Sequence, residues 1–541
     1  MRVILILMIM SIFACESSHD YEGSKKVFHF NEASGLPTLD PAFAKDQSII
    51  WPCLQIYNGL VQLDNNLNVL PCIAHSWDIS QDGKTYTFHL RNDVKFHRNG
   101  CFQNIDSTRN VIASDFVFSL NRISDDHTAS PGAWIMKYVF HDTNSNQKGI
   151  EAIDDSTLVI HLTNTYPPFL SLLTMPYCSV IPQEAVNFYG ADFRANPCGT
   201  GPFRFSYWKE GVKLILLKNE NYFEFDGMNR LPFLDAVDVS FISDKQSAFI
   251  EFLKGKLDFI SGIDGSYKDD LLTHSGQLQP RYRDRFIMET EPYLNTEYLG
   301  ILMDKKDEKL NPLQSKKIRQ ALNYGFDRKR MISYLRNNIG TAGIHGMIPP
   351  GLPSADTNYI AYDYRPLLVK QLLEEAGFPN GKNLPEIKLS TTNTYQDLCE
   401  FIKSQWEEFG FRISIDVNQA AIHRKMIAEQ KLDFFRGSWI ADYPDAENYL
   451  SLFYSPNFAP AGPNYTHYKN SEFDEMFVKA VAETNDSLRY ELYSKMDKLL
   501  MDDSPVIILY YDKVLRLYNK NISGLGTNAM NLLFLKNVKK N

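Results

Sequence analysis

The sequence predicts an α/β protein with more than one domain. Strand and helix signals alternate along the chain, which is typical of sheets covered by helices. The chain has 541 residues, too many for a single hydrophobic core, so we expect two or three domains. Loops rich in Pro and Gly separate the periodic segments, and the run ANPCGTGP at 195–202 is the clearest of them.

The N-terminus has the composition of an export signal. Arg2 precedes roughly eleven apolar or small residues, too few for a membrane-spanning helix, which needs about 20. Residues 12–15, IFAC, resemble a bacterial lipoprotein box. They predict a signal peptide over 1–14, lipid on Cys15 and a polar tether over 15–26. An ordinary secretory signal and a short buried segment are the alternatives.

Charge and cysteine content argue against several classes of protein. The formal net charge is −9, and loss of the signal peptide with Arg2 would make it −10. With no basic stripe in the sequence, we expect no nucleic-acid partner. Six cysteines follow Cys15 without a Cys-x-x-Cys pair, so we expect no metal site and no cofactor. Export would permit disulfides among them, but their connectivity does not follow from sequence.

Apolar periodicity predicts the first strands and helix. Apolar and polar residues alternate over 86–90, as expected of a half-buried strand, and 212–217 and 237–242 have strand character as well. Ser243 and Gln246 then have the spacing of a capping box. The helix that they would open is predicted to end at Gly255.

Further helices follow in the second half of the chain. They are predicted to begin near Ser315, Asp327, Pro366 and Ser471. Another helix carries an apolar stripe over 398–409 and is closed by Gly410. We interpret that stripe as part of the core and not as a cofactor site.

Residues 433–450, DFFRGSWIADYPDAENYL, form the most informative segment. Charged and aromatic side chains stand among small residues without helical or strand period, which predicts a loop shaped for a ligand. A carboxylate such as Asp442 near Trp439 can hold an ammonium group, and the indole adds cation–π attraction. A solvated surface loop is the alternative, because charged residues are usually exposed.

No catalytic motif was found. The sequence lacks His-Glu-x-x-His and Gly-x-Ser-x-Gly, and its histidines are scattered. Residues 377–382 resemble a phosphate loop, but only three residues separate the glycines. Asn383 also stands where a Ser or Thr would bind magnesium. We therefore expect a protein that is not an enzyme.

Short motifs recur in a fixed order along nearly the whole chain. They are LDP at 39–41, YNGLV at 57–61, PCIAHSW at 71–77, DGKTYTFHLR at 82–91, VKFH at 94–97, ASDFVFS at 113–119, GTGPF at 199–203, RQALNY at 319–324 and EAGFP at 375–379. In this order and spacing they resemble extracytoplasmic solute-binding protein family 5, the dipeptide- and oligopeptide-binding proteins of ABC transporters.

The resemblance implies a periplasmic-binding-protein-like type II fold, in which two lobes close on a ligand about a hinge. It also implies a small inserted domain. Lobe I is expected to comprise 27–66, 183–296 and 509–541, with the inserted domain II at 67–182. Lobe II, or domain III, is expected over 297–508.

The resemblance also assigns roles within 433–450. Oligopeptide-binding relatives carry an Asp three residues after a Trp to pair with the peptide α-amino group, and Asp442 follows Trp439 at that spacing. Arg436, three residues before the Trp, would meet a peptide carboxylate. Gly437 and Ser438 would offer backbone groups to the peptide.

Four more positions complete the expected site: Tyr443, Asn58, Leu60 and Tyr395. Asn58 stands where the relatives have Glu, and Tyr395 where they have His. Asp445 and Glu447 are expected to be exposed charges on the loop surface.

The function implied is that of a substrate-binding lipoprotein of a peptide ABC importer. It would capture di- and oligopeptides outside the cytoplasm as a lipid-anchored monomer and deliver them to permease subunits. Its expected location is the cell envelope, on the periplasmic or extracellular face of a membrane. Three alternatives stay open: a family member for a metal chelate, haem or sugar, a cell-envelope hydrolase, and a structural or chaperone-like lipoprotein.

Overall fold

The computed structural model describes residues 25–141, 148–304 and 311–541. The predicted signal peptide, Cys15 and most of the tether lie outside these residues. Within the described part, no helix combines the length and apolarity needed to cross a membrane. The terms lobe I, inserted domain and lobe II are used below for the segments predicted above.

The N-terminal third folds into short strands and helices. Residues 27–66 form β1 (Val27–Asn31), α1 (Gln47–Ile56) and β2 (Val61–Leu63). Residues 67–182 form β3 (Val69–Pro71), β4 (Ala74–Ile79), β5 (Thr85–Leu90), α2 (Ala113–Ser124), β6 (Ile150–Ala152), β7 (Thr157–His161) and α3 (Phe169–Leu172). Strands β4, β5, β7 and β6 pair in that order as a separate antiparallel sheet within the predicted inserted domain.

The second segment of lobe I leads into a long strand. It contains α4 (Gln183–Tyr189), β8 (Phe203–Lys209), β9 (Lys213–Lys218), β10 (Phe225–Asp226), β11 (Asn229–Arg230), β12 (Ala236–Ser240), α5 (Lys245–Leu253), β13 (Phe259–Ser261) and α6 (Lys268–Leu271). Strand β14 (Phe286–Ile301) follows and continues into lobe II.

Lobe II is richer in helix. It contains α7 (Lys316–Tyr324), α8 (Arg328–Arg336), β15 (Thr341–Ala342), α9 (Pro366–Glu375), β16 (Ile387–Thr392), α10 (Gln396–Glu407), β17 (Ile413–Asn418), α11 (Ala420–Ala428), β18 (Phe434–Ile440), α12 (Glu447–Leu450), α13 (Ser471–Ala482) and α14 (Asp486–Asp503). Strands β19 (Val506–Asn519), β20 (Ile522–Ser523) and β21 (Lys539–Lys540) end the chain.

One mixed sheet runs through both lobes. Its strand order is β17-β16-β18-β14-β19-β13-β1-β12-β9-β8, with β15 paired to β19. Strands β14 and β19 are antiparallel partners over most of their length, so they connect the two lobes twice. Their register shifts between Pro292 and Thr296, so regular pairing is interrupted where the two strands pass from one lobe to the other.

Hydrophobic cores occupy both faces of the lobe II part of this sheet. Leu299 and Phe434 pack on one face with Trp406 of α10, whereas Tyr298 and Phe435 pack on the other face with residues of α13 and α14. This separation follows from the strand period of two, which sends neighbouring side chains to opposite faces. A third core joins the inserted domain to the N-terminal part of lobe I.

Most of the predicted elements are confirmed. The strands expected near 86–90, 212–217 and 237–242 are β5, β9 and β12, and the helices expected at Ser315, Asp327, Pro366 and Ser471 begin within one residue of those positions. The predicted Ser243 cap was wrong by one residue. The carboxylate of Asp244 accepts the backbone N–H of Ser247 at 2.7 Å and caps α5 instead.

The segment 433–450 was predicted as a loop, and this was wrong for its two ends. Residues 434–440 form strand β18, paired with β14 from Asn295 to Ile301, and 447–450 form helix α12. Gly437 fits this strand because Tyr298 of β14 packs over it, so that a Cβ there would lie 2.8 Å from the tyrosine ring. Only residues 441–446 connect the two elements without regular structure.

Candidate ligand-binding site

A cavity of about 240 Å³ lies between the two lobes. Its walls come from α1 and the residues before it, from the inserted domain, from the end of β18 and from the C-terminal segment. The main polar and aromatic lining residues are Asp46, Trp51, Tyr177, Tyr293, Asp442 and Asn531. Because both lobes and the inserted domain contribute, a ligand held here would contact every moving part of the protein.

Asp442 projects into this cavity directly after β18. Its side chain is accessible to solvent, yet protein surrounds it closely on the walls of the cleft. This loss of hydration raises the pKa of the carboxyl to about 6, while a hydrogen bond with Asn448 acts in the opposite direction. At neutral pH the group is therefore mostly an ionised carboxylate that is open to the cleft, which suits it to bind a cation.

Asn448 of α12 fixes the position of Asp442. Its Oδ1 accepts the indole N–H of Trp439 at 2.8 Å and the backbone N–H of Asp442 at 3.3 Å. Only 4% of Asn448 is exposed, so these bonds are shielded from competing water. Trp439 was expected to add cation–π attraction for a ligand ammonium group, and its position does not support that role. Its polar atom supports Asn448 from a half-buried position, and its ring does not line the cavity that contains Asp442.

Lobe I and the inserted domain place a carboxylate and a phenol opposite Asp442. Burial raises the pKa of Tyr177, and the nearby charges of Asp442 and then Asp46 raise it further. The phenol therefore stays neutral and can donate a hydrogen bond. Asp46 precedes α1 and lines the same cavity.

A second cavity of about 600 Å³ adjoins the first and shares Asp46, Gln47 and Trp51 with it. It lies at the carboxyl ends of the parallel strands β1 and β13, where Asn31 and Ser261 line it. Ligands of open α/β sheets bind at this edge. The combined volume of the two cavities lies within the range of about 300–1,000 Å³ that is typical of small-molecule sites.

Strand β18 leaves backbone groups unpaired beside Asp442. Ala441 donates its N–H to Leu294 of β14, so the alternate residues Ser438 and Ile440 direct their backbone groups away from β14. On that side of β18, among the described residues, strand pairing occurs only between Phe435 and Ser390 of β16. The backbone of Ser438 and Ile440 therefore forms a free strand edge.

Arg436 and Tyr395 lie together on the lobe II wall. The guanidinium carbon of Arg436 is 3.2 Å from the centroid of the Tyr395 ring, and Nη2 donates a short hydrogen bond to Glu297 of β14. The side chains of Arg436 and Glu297 are 10% and 3% exposed. The arginine expected to meet a ligand carboxylate is thus already paired with a carboxylate of the protein.

Asn58, Leu60 and Tyr443 do not line the cavity around Asp442. Asn58 accepts a hydrogen bond from Thr200 at 3.0 Å and borders a neighbouring space of about 60 Å³ between lobe I and the inserted domain. Leu60 is 1% exposed and belongs to the core that joins lobe I to the inserted domain. Tyr443 is buried against Trp134 of the inserted domain, with ring centroids 6.2 Å apart.

Asp445 and Glu447 were expected at the surface, and this was wrong. Asp445 is 8% exposed and lies 3.7 Å from Arg489 of α14. Glu447 is 4% exposed and accepts hydrogen bonds from Tyr443 and from Tyr166 of the inserted domain, the latter at 3.0 Å. Burial raises the pKa of Glu447 to about 6. Both carboxylates are buried because partners far away in sequence satisfy them.

Sequence reasoning missed Asn448, Asp46, Tyr177, Tyr293 and Glu297. Asn448 stood within the chosen segment, but it is the single Asn there and no sequence pattern marked it. The others lie on distant elements, and no local pattern marks them. Among the described residues, no cluster of His, Cys, Asp and Glu is arranged to hold a metal ion.

Comparison with known proteins gives a consistent family assignment. The family model described as bacterial extracellular solute-binding proteins, family 5 Middle, matches residues 68–460. The Heme-binding protein A of Haemophilus influenzae is 31% identical over 481 residues, which cover 84% of this chain and 81% of that protein. The Glutathione-binding protein GsiB of Escherichia coli K12 is 26% identical over 497 residues, covering 91% and 90%.

The fold is also found among solved structures. The periplasmic binding protein DppA of Helicobacter pylori, solved in complex with the peptide STSA, superposes with a TM-score of 0.75 at 24% identity. The superposition covers 94% of this chain and 98% of that one. The α/β fold class predicted from sequence, that of a periplasmic-binding-protein-like fold, is thereby confirmed.

Proposed function

The chain belongs to family 5 of the bacterial extracellular solute-binding proteins, and from this membership we propose that it captures short peptides with a free amino terminus for an ABC importer. The observation that supports this most strongly is Asp442, an ionisable carboxylate held by Asn448 inside a cavity between the lobes. Solute-binding proteins present their closed, loaded form to a membrane permease, so permease subunits are the proposed partners.

Recognition by Asp442 follows from the common chemistry of peptides. Every unmodified peptide carries an ammonium group, whatever its sequence, and a partly dehydrated carboxylate attracts that group strongly. Tyr177 can donate a further hydrogen bond to the ligand, and Asp46 adds negative charge on the opposite wall. Once a buried ammonium–carboxylate pair has formed, loss of one partner costs roughly 3–5 kcal/mol.

The rest of the peptide would be bound without selecting its sequence. The free edge at Ser438 and Ile440 can pair with the backbone of an extended ligand. The adjoining cavity of about 600 Å³ leaves room for side chains and water. Bridging water costs only about 0–2 kcal/mol for each molecule, so a wet cavity accepts varied side chains.

Location and assembly are proposed from the sequence. The N-terminal leader ends in the lipoprotein-like IFAC, which supports lipid on Cys15 and attachment to the outer face of a membrane. The polar tether would let the globular body reach a permease. We propose a monomer that binds without turnover, since no catalytic motif occurs in the sequence.

Haem is the second candidate ligand, because one of the relatives described above is a haem-binding protein. Haem carries two propionate carboxylates and needs cations to hold them. The cavity around Asp442 is lined by the carboxylates of Asp46 and Asp442, with Lys45 as the neighbouring cation. This charge arrangement favours an amine-bearing ligand over haem.

Native mass spectrometry of the protein as purified tests the proposal. We expect a ladder of co-purified masses that resolve into short peptides after denaturation. The stripped protein is then offered a tripeptide library, the same library with acetylated amino termini, glutathione and haemin. Retention of the free-amine library, unhydrolysed, supports peptide capture. Retention of haemin alone, equal retention of the acetylated library or cleavage of the peptides would contradict it.

A further inference from the structure

Arg436 and Glu297 form an ion pair built into the lobe II wall. Glu297 stands opposite Ser438, and Leu299 opposite Arg436, in the antiparallel ladder of β14 and β18. The two charged side chains are therefore diagonal neighbours on one face of the sheet. Nη2 of Arg436 contacts Oε2 of Glu297, and Tyr395 covers the guanidinium face at 3.2 Å.

The surroundings leave Glu297 dependent on Arg436. Asp512, the other carboxylate near this pair, lies 2.6 Å from Arg336, which also donates to Tyr510 at 3.1 Å. Burial raises the pKa of Glu297, Arg436 lowers it, and Asp512 raises it again. Asn295 also donates a hydrogen bond to Glu297 at 3.2 Å, but Arg436 is the cation paired with Glu297, whereas Asp512 is paired with Arg336.

The pair lies close to the cavity that contains Asp442. Tyr293 lines that cavity, and the pKa of its phenol is raised by burial and by the charges of Asp512 and Glu297. Glu297 follows Tyr293 by four residues on the same strand, β14. Arg436 precedes Asp442 on β18, so a ligand whose amine is held at Asp442 and which extends along the free edge of β18 is directed towards Arg436.

We propose that Glu297 is an internal counter-ion that prevents Arg436 from binding a ligand carboxylate. A ligand carboxylate would have to displace Glu297, which is buried, or share the guanidinium with it as a second negative charge. The site then selects ligands with a free amine whose group near Arg436 is neutral. Longer peptides and amidated short peptides belong to this class, and zwitterionic tripeptides are expected to bind more weakly than their amides. This inference rests on the amine anchor at Asp442 proposed above.

A paired tripeptide library tests this selection. The library is synthesised once as free carboxylic acids and once as C-terminal amides, and the two forms are mixed in equal amounts. Retained peptides are separated from free ones by gel filtration and counted by mass spectrometry. The wild-type protein is expected to retain more amides than acids. A wild-type preference for acids would overturn the proposal without the need for any variant.

The variant Glu297→Gln removes the negative charge at nearly constant volume. We expect the ratio of retained acids to amides to rise about tenfold, because a ligand carboxylate can now complete the charge of Arg436. Glu291→Gln is the matched control, since it makes the same charge change at an exposed position of the same strand, and its ratio should equal that of the wild type. An unchanged ratio in folded Glu297→Gln would contradict the role of Glu297.

The outcomes separate this inference from the proposed function. If acetylation of the amino terminus abolishes retention but acids are preferred over amides, peptide capture stands and the counter-ion role is wrong. If no form of the library is retained, or if acetylation has no effect, both proposals are wrong. Thermal unfolding with and without library shows whether Glu297→Gln is folded, and the wild-type ratio remains decisive if it is not.

Discussion

Asp442 is accessible from the cleft, and yet its carboxyl pKa is raised to about 6 by the protein around it. That combination differs from an exposed surface carboxylate, which keeps its hydration, and from a structural buried one, which has a partner in the protein. Glu447, five residues later, is a carboxylate of the second kind, since two tyrosines donate to it. The same segment thus contains one carboxylate that is suited to bind a ligand, Asp442, and one that stabilises the fold, Glu447.

Replacing Asp442 and Arg436 separates ligand binding from stability. Asp442→Asn removes the charge that holds the ammonium group and should weaken binding of free-amine tripeptides at least about 30-fold. Arg436→Ala leaves buried Glu297 without its cation and should lower the free energy of unfolding by about 3–5 kcal/mol. Affinity of the folded Arg436→Ala protein should change by less than about threefold.

Calorimetry and chemical denaturation measure the two effects separately. Asp512→Asn would serve as a further charge control, because its partner is Arg336 and not Arg436. Equal and small losses of affinity in Asp442→Asn and Arg436→Ala would contradict the amine anchor.

Affinity for free-amine peptides should depend on pH through Asp442. The carboxylate form binds the ammonium, so affinity should be constant above about pH 7 and fall by about tenfold per pH unit well below 6. Glu447 also has a pKa of about 6. Its pKa is raised in the buried state, so protonation favours the closed form, and its contribution to binding has the opposite sign.

Titration calorimetry from pH 5 to pH 8 tests this dependence. The Asp442→Asn variant should show weak binding with little loss at low pH. A wild-type affinity that stays constant down to pH 5 would mean that Asp442 is not the group that binds the amine.

At the scale of elements, the short helix α12 supports the site. It begins at Glu447 and carries Asn448, whose Oδ1 holds both the end of β18, through Trp439, and the backbone of Asp442. The turn between β18 and α12 is thereby closed by one side chain. Helix α12 has only four residues, too few to be stable alone, so its packing in the lobe II core must hold it.

Asn448→Ala should therefore damage both the fold and the site. The indole N–H of half-buried Trp439 would lose its acceptor, which costs about 1 kcal/mol of unfolding free energy. Displacement of Asp442 should weaken tripeptide binding about tenfold. Asn457→Ala is the matched control, since Asn457 donates to Ser451 at 3.0 Å away from the cavity. An affinity loss no greater than that of the control would show that Asn448 does not position Asp442.

Sequence reasoning succeeded where an element has a regular apolar period. Helix α10 and strand β5 were predicted because their apolar residues recur at the spacing of one face. It failed for β18, where Arg436, Gly437 and Ser438 interrupt the pattern. Gly437 packs against Tyr298 on one face of the strand, whereas Arg436 packs against Tyr395 on the other, so neither face shows a uniform apolar pattern here. It failed for Asp445 and Glu447 because their partners lie in α14 and in the inserted domain.

For the whole molecule, we expect closure of the lobes to involve two features, the strands that connect them and a contact across the cleft. Strands β14 and β19 connect the lobes, with a register shift at Pro292–Thr296 where regular pairing is interrupted. On the far side of the cleft, Tyr443 and Glu447 of lobe II meet Trp134 and Tyr166 of the inserted domain. The cavity with Asp442 is lined by residues of both lobes, so we expect rotation about the connecting strands to open or close it.

A ligand can shift the equilibrium between the open and closed forms only by as much as its affinity for the closed form exceeds its affinity for the open form. The contact of Glu447 with Tyr166, at 3.0 Å and buried, exists only while the lobes are together. Tyr166→Phe removes the donated hydrogen bond and keeps the ring stacked on Tyr138, whose centroid is 3.9 Å away. A buried hydrogen bond to a charged group contributes about 1.5–3 kcal/mol, so the variant should bind tripeptides roughly 10- to 100-fold more weakly without a change at the amine anchor.

Small-angle X-ray scattering provides the direct measurement. The wild-type radius of gyration should fall on saturation with the free-amine library, whereas Tyr166→Phe should be more expanded without ligand and need higher concentrations to reach the same compact state. Tyr465→Phe is a control in lobe II, because Tyr465 packs in the lobe II core and not against the inserted domain. If saturating ligand leaves the wild-type radius unchanged and Tyr166→Phe binds as tightly as Tyr465→Phe, the lobes do not close on the ligand, and the contact between Glu447 and Tyr166 serves stability alone.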